Sequence, residues 1–95
     1  MDVMKWRDRA VKSVLNMAKK EFDLNIKLAK QYGVDGNIDT FLQEPRKLLK
    51  LADLIEKCQF KKAQKVVLYD LDTGLRDALP VYVYDFLAEN KWLNQ

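Results

Sequence analysis

Two stretches, Lys65-Val-Val-Leu-Tyr-Asp-Leu71 and Val81-Tyr-Val-Tyr-Asp-Phe86, carry the strongest conformational signal near the carboxyl end of the chain. Both are rich in β-branched and aromatic residues, which suit a pleated, half-buried surface. Asp72-Thr-Gly74 and the segment from Asp77 to Pro80 punctuate the interval between them. The propensities predict a β-hairpin here, followed by a short helical turn over Ala88–Leu93 that carries Trp92. The same residues admit a rival reading of two further helices, one ending at Gly74 and one starting at Pro80, because both residues also suit helix boundaries.

Upstream of the hairpin the period changes. From Val3 to Tyr32 the chain contains no Gly or Pro. At about 100° per residue, Met4, Val11, Val14, Leu15, Ala18, Phe22, Ile26, Ala29 and Tyr32 share one broad face, which Trp6, Ala10, Met17, Leu24 and Leu28 widen. The opposite face collects Lys5, Arg9, Lys12, Lys19, Lys20, Lys27 and Lys30. This is a long amphipathic helix. Glu21 and Asn25 fall on its apolar side and predict a break or bend near residues 21–25. So wide an apolar arc predicts more than one packing neighbour, a second copy of the chain among them.

Gly33, Asp35 and Gly36 end that helix, with Gly33 suited to a left-handed position just past its last turn. Asn37, Asp39 and Thr40 are candidate N-caps, and Thr40 with Gln43 fits a capping box. Pro45 suits the first turn of a second helix, where its missing N–H costs nothing. That helix is expected from Pro45 to about Phe60, with Leu48, Leu51, Ala52, Leu54, Ile55 and Cys58 on its apolar stripe. Arg46, Lys50 and Lys57 face away. The expected class is therefore α+β: two main amphipathic helices, then a C-terminal β-hairpin and a short helical turn. An all-α small helical bundle is the alternative.

At 95 residues and 11.2 kDa the chain fits a single domain spanning residues 1–95. Its 48% hydrophobic and 33% charged content reads as globular and neither disordered nor membrane-spanning. Charge is uneven: residues 1–65 carry 15 Lys and Arg against 9 Asp and Glu, whereas residues 66–95 carry 2 against 5. A basic helical part thus adjoins an acidic, aromatic one. The lone thiol of Cys58 and the lack of an apolar leader suggest a cytoplasmic protein.

The composition excludes several chemistries. There is no histidine, one cysteine, one serine (Ser13) and two threonines (Thr40, Thr73), so neither a Ser-His-Asp nor a Cys-His triad can be built. A His-bearing zinc site and an intrachain disulfide are excluded likewise. An EF-hand also fails, because Gly74 stands fifth after Asp70-x-Asp72 and Val81 occupies the twelfth position in place of glutamate.

One motif resembles a catalytic signature. Val66-Val-Leu-Tyr-Asp70-Leu-Asp72-Thr-Gly-Leu-Arg-Asp77 is similar to the first motif of the haloacid dehalogenase superfamily, a hydrophobic strand ending in Asp-x-Asp. The resemblance implies Asp70 as nucleophile and Asp72 as general acid/base, with magnesium between carboxylate and phosphate. It covers 12 residues, and Thr73-Gly74 reverses the family's usual Gly-Thr order. The 23 residues after Asp72 leave no room for the family's later motifs. The preferred reading is a strand leading into an Asp-rich turn, with no enzyme activity, no cofactor and no metal.

What remains is binding. Tyr and Trp beside an exposed strand edge are typical anchors for protein recognition. Tyr82, Tyr84 and Trp92 are accordingly the expected contacts of a non-catalytic regulator, inhibitor or adaptor, oriented by Asp70, Asp72 and Asp77. The alternative is nucleic-acid binding through Lys5, Arg9, Lys12, Lys19, Lys20, Lys27 and Lys30. Lysine outnumbers arginine 13 to 4, which argues against base-specific readout. A membrane partner is not expected.

Overall fold

In the computed structural model, which describes residues 2–33 and 38–94, Asp2 starts the first helix. Its carboxylate accepts from the backbone N–H groups of Met4 (3.0 Å) and Lys5 (3.3 Å), two donors that the first turn of a helix leaves unpaired. Helix α1 then runs unbroken over Val3–Gln31. Asn25, expected to interrupt it, donates to the Glu21 carbonyl one turn back at 2.7 Å, so its amide is satisfied within the helix. Beyond Tyr32, Gly33 adopts φ +64°, the left-handed geometry expected of it. Asp35, Gly36 and Asn37 lie outside the described residues.

Helix α2 covers Ile38–Glu56, longer at its start and shorter at its end than the expected Pro45–Phe60. Asp39 and Thr40 are thus helical residues, and Asp39 pairs with Arg46 at 2.9 Å instead of capping. Pro45 sits inside the helix and is fully buried. A mid-helix proline costs about 3 kcal/mol, of which burial of its ring recovers a part. The helix closes with a Schellman motif, in which Gln59 N–H donates to Leu54 O (2.9 Å) and Cys58 N–H to Ile55 O (3.0 Å). Cys58 occupies the left-handed position with φ 57°, so its side chain leaves the apolar stripe and is exposed.

The expected hairpin is absent. With 86% of residues helical and no strand among those described, the class is all-α, the alternative architecture. Helix α3 (Phe60–Lys65) runs into a π-turn over Val66–Asp70, followed by α4 (Thr73–Ala78), α5 (Val81–Glu89) and a 3₁₀ turn (Trp92–Asn94). The physical reason for the correction is a four-residue repeat. Ala63, Val67, Leu71, Leu75, Leu79, Val83 and Leu87 are all buried. Residues four apart share one side of a helix, so this repeat directs a continuous apolar stripe into the core. Pro80 starts α5, as the two-helix reading has it, but Gly74 lies within α4 instead of ending a helix. A Cβ at residue 74 would come 3.1 Å from the Asp72 carboxylate, which caps α4 by accepting from Gly74 N–H.

The most extensive packing is between α1 and α2. Trp6, Ala10, Val14 and Ala18, again four residues apart, are buried along α1. The small side chains among them allow close approach, and Leu48, Leu51, Ala52 and Ile55 fill the facing side of α2. By contrast, Met4, Leu15, Leu24 and Tyr32, placed on the apolar arc by their spacing, are exposed. Helices α3 to α5 cover one side of the pair near the α1 start. Trp6 meets Phe86 at 4.0 Å and Phe60 at 5.9 Å between ring centroids, while Trp92 stacks on both Phe60 (5.2 Å) and Phe86 (5.4 Å). Buried Gln64 donates to the carbonyls of Ala88 (3.3 Å) and Asn90 (2.8 Å), groups that the end of α5 leaves without intrahelical partners.

The strained cap makes a stability prediction. A non-glycine residue in the left-handed region costs about 1–2 kcal/mol, partly cancelled in a glycine variant by the extra freedom of its unfolded chain. Cys58→Gly should raise stability by about 0.5–1 kcal/mol and the melting temperature by a few degrees. Thermal unfolding followed by circular dichroism checks this, and an unchanged or lower melting point would contradict the cap assignment.

Candidate interaction surfaces

The residues first expected to form a binding hairpin separate into two groups. Tyr82 and Trp92 hold the fold together. Tyr82 hydroxyl donates to Arg9 O (3.2 Å) and receives the Ser13 hydroxyl proton at 2.7 Å, while its backbone carbonyl accepts from the Trp6 indole N–H at 3.1 Å. The Trp92 indole donates to Phe86 O at 3.1 Å. No strand edge accompanies them among the described residues, and their polar groups are engaged internally.

Tyr84 is different. It is half-buried and lines an open cleft of about 180 Å³ with Arg76, Asp77, Leu79, Val81 and Asp85. Val81, at 73% exposure, projects beside it. Of the three expected orienting carboxylates, only Asp77 belongs to this cleft. Asp72 caps α4, and Asp70 lies at the end of the π-turn, 2.9 Å from Lys47 Nζ through its backbone oxygen. The strand that a haloacid dehalogenase nucleophile requires is therefore replaced by a π-turn. The described residues hold no group of three or more Cys, Asp or Glu arranged for a metal ion.

The π-turn has its own supports. Its hydrogen bond from Leu71 N–H to Val66 O (2.8 Å) spans five residues, and its last carbonyls lack helical N–H donors. Lys47 serves Asp70 O, and Arg76 serves Leu68 O at 3.3 Å. Glu44 completes the tie, accepting from Lys47 (2.7 Å) with one carboxylate oxygen and from Asp72 N–H (3.0 Å) with the other. Burial pushes the Glu44 carboxyl up, but these two hydrogen bonds and the Lys47 charge outweigh it and hold the carboxyl below its ordinary value.

The seven cations expected on one face of α1 are all exposed along one side of the helix, about 38 Å from Lys5 to Lys30 at 1.5 Å per residue. Arg9 is partly committed, with its guanidinium 4.2 Å from the Tyr82 ring centroid. The ion pairs among the described residues are Arg7–Asp8, Arg46–Asp39, Lys47–Glu44 and Lys57–Asp53. None of them uses an α1 lysine. Six ammonium groups on one helix face thus lack a carboxylate partner among the described residues.

Two surfaces escaped the sequence reading. Lys50, Lys62 and Lys65 meet Leu54, Val66 and Asp70 around an open cleft of about 210 Å³. Their convergence depends on how α3 packs against α2, for which local spacing carries no signal. The second is a pair of α2 leucines, Leu42 and Leu49, the latter 42% exposed. Their seven-residue spacing was a readable helical signal, overlooked because α2 was expected to start only at Pro45. Among the described residues no helix is long and apolar enough to cross a membrane. Comparison with family models, with curated proteins and with solved structures finds no match to this chain.

Glu44 generates a pH prediction. A carboxyl whose folded value is depressed contributes stability that is present above its unfolded value near 4.5 and is lost as pH falls through the lower folded value. Urea unfolding at neutral pH and at successively lower pH should show Glu44→Gln losing less stability on acidification than the wild type. Equal acid sensitivity of the two proteins would refute the tie between α2 and the π-turn.

Proposed function

We propose that the chain is a non-catalytic cytoplasmic binding protein, a small regulator, inhibitor or adaptor. It presents the lysine face of α1 to an acidic surface of another protein. The observation that carries this reading is the set of six α1 lysines without carboxylate partners on one exposed helix face. An array of like charges left unneutralised raises local potential and steers an oppositely charged partner into encounter. The lack of histidine and the engagement of the single serine with Tyr82 support a role without chemistry.

The same face also suits nucleic-acid phosphates, and the observations favour protein for two reasons. Asp23 lies on α1 among the lysines and is exposed, and a continuous phosphate backbone repels it. A protein surface of mixed charge accommodates it. The lysine face also has no exposed aromatic residue among its cations to stack on bases, and its lysines lack the planar fork that reads guanine.

The test is capture of partners from native lysate by the full chain, with and without nuclease. The comparison protein carries Lys5→Glu, Lys20→Glu and Lys27→Glu, three exposed changes that leave the core untouched. The reading expects an acidic protein that survives nuclease and binds the variant roughly tenfold or more weakly. Loss of all bound material on nuclease treatment would transfer the lysine face to nucleic acid. Equal capture by the variant would remove the face from the interaction altogether.

A further inference from the structure

We propose that the chain forms a two-fold dimer through the side of the α1–α2 pair that α3, α4 and α5 leave uncovered, a face that borders the lysine face of the partner-binding role above and shares Lys12 with it. On α1, Val11, Leu15, Phe22 and Ile26 fall within about 60° of one another. They point about 140–180° away from Trp6 and Ser13, the residues that bond to α5. On α2, Leu42 and Leu49 point about 140–160° away from Glu44 and Lys47, which bond to the end of the π-turn and its exit. Leu15, Ile26, Leu42 and Leu49 therefore lie together on the open side, bordered by Val11 and Phe22, which pack against the core. Leu15 is 44% exposed and Leu49 42%, while the other four are only partly buried. A contiguous apolar strip of this kind on a charged surface marks an interaction site.

The dimensions and the charges point to a second copy as the occupant. The 19 residues of α2 span about 28 Å, and two helices side by side are about 20 Å wide. The face thus offers about 560 Å² per protomer and about 1,100 Å² in a dimer, above the roughly 1,000 Å² that a specific interface needs. Arg7 Nη1 donates to Glu56 O at 3.5 Å, so the start of α1 lies beside the end of α2 and the two helices run antiparallel. A two-fold axis parallel to the helices then lays α1 over the partner's α2 in a four-helix layer. With residue 7 beside residue 56, Asp8 falls within about one helical turn of the partner's Lys57, and Lys12 of the partner's Asp53. Both pairs are of opposite charge, and they extend the Arg7–Asp8 and Lys57–Asp53 pairs of each chain into networks. Lys12, which has no carboxylate partner among the described residues, gains one.

Sedimentation equilibrium on the full chain tests the dimer. The wild type should have twice the 11.2 kDa chain mass at micromolar concentration. Leu15→Glu with Leu49→Glu, both at exposed positions, should return a monomer with an unchanged far-ultraviolet spectrum. Lys12→Glu alone and Asp53→Lys alone should each weaken association by roughly tenfold, because each contact occurs twice, and the two together should restore it. A wild type that stays monomeric into the high micromolar range would overturn the proposal. So would a leucine variant that remains dimeric, or a charge swap that fails to recover affinity.

Discussion

The first turns of α1 pack against both α2 and the carboxyl-terminal helices within one core, and the indole of Trp6 is where these contacts meet. Its ring packs into the cluster formed by Phe60, Phe86 and Trp92, and its N–H satisfies the Tyr82 carbonyl. The following buried positions on α1, Ala10, Val14 and Ala18, lie along the packing with α2. Aromatic pairs in such tilted and edge-on arrangements contribute about 0.5–1.5 kcal/mol each beyond the area they bury. Helix α3, of six residues, is too brief to be stable alone, so its order derives from this attachment. Tyr82 reinforces it from the other side, with its hydroxyl between Ser13 and the Arg9 carbonyl. Tyr82 and Trp92, two of the three aromatic residues read as recognition anchors, thus help to join α1 to the carboxyl-terminal helices.

The long helices were legible because their patterns are long. α1 sorts apolar from basic residues over 29 positions, and its end at Gly33 follows from the one residue type that accepts a left-handed backbone without strain. The carboxyl-terminal third misled for a specific reason. In Val81-Tyr-Val-Tyr-Asp-Phe86 nearly every residue is apolar or aromatic, so a two-residue alternation carries no polar contrast, and propensity alone then favours a strand. The information lay at longer range, in the four-residue spacing from Ala63 to Leu87 that crosses three helix boundaries. Tertiary burial of that stripe overrides the β-preference of Val66, Val67, Tyr82 and Val83. Cys58 was misplaced because the helix end two residues earlier depends on a Schellman turn at a non-glycine residue, which no local rule favours.

Charge was legible as a list and only the fold turns it into a map. The lysines of α1 read as one face from spacing, and the structure keeps that face exposed and unpaired. The acidic residues divide in a way spacing cannot foresee. Glu44 and Asp72 are spent on holding the π-turn and α4, whereas Asp77 and Asp85 stay at the mouth of the Tyr84 cleft. The result is a molecule with a basic long edge, a small acidic corner and an apolar side between the long helices.

The dependence of the carboxyl-terminal helices on one indole is open to a direct measurement, amide hydrogen exchange in Trp6→Ala. Removing a buried tryptophan leaves a cavity and typically costs about 3–5 kcal/mol. If Trp6 is the joint, amides of α4 and α5 should lose protection first, while those around Val14, Leu48 and Ile55 in the α1–α2 pair retain more of theirs. Wild-type protection throughout α5 in that variant, or loss in α5 no earlier than in the long helices, would contradict the account.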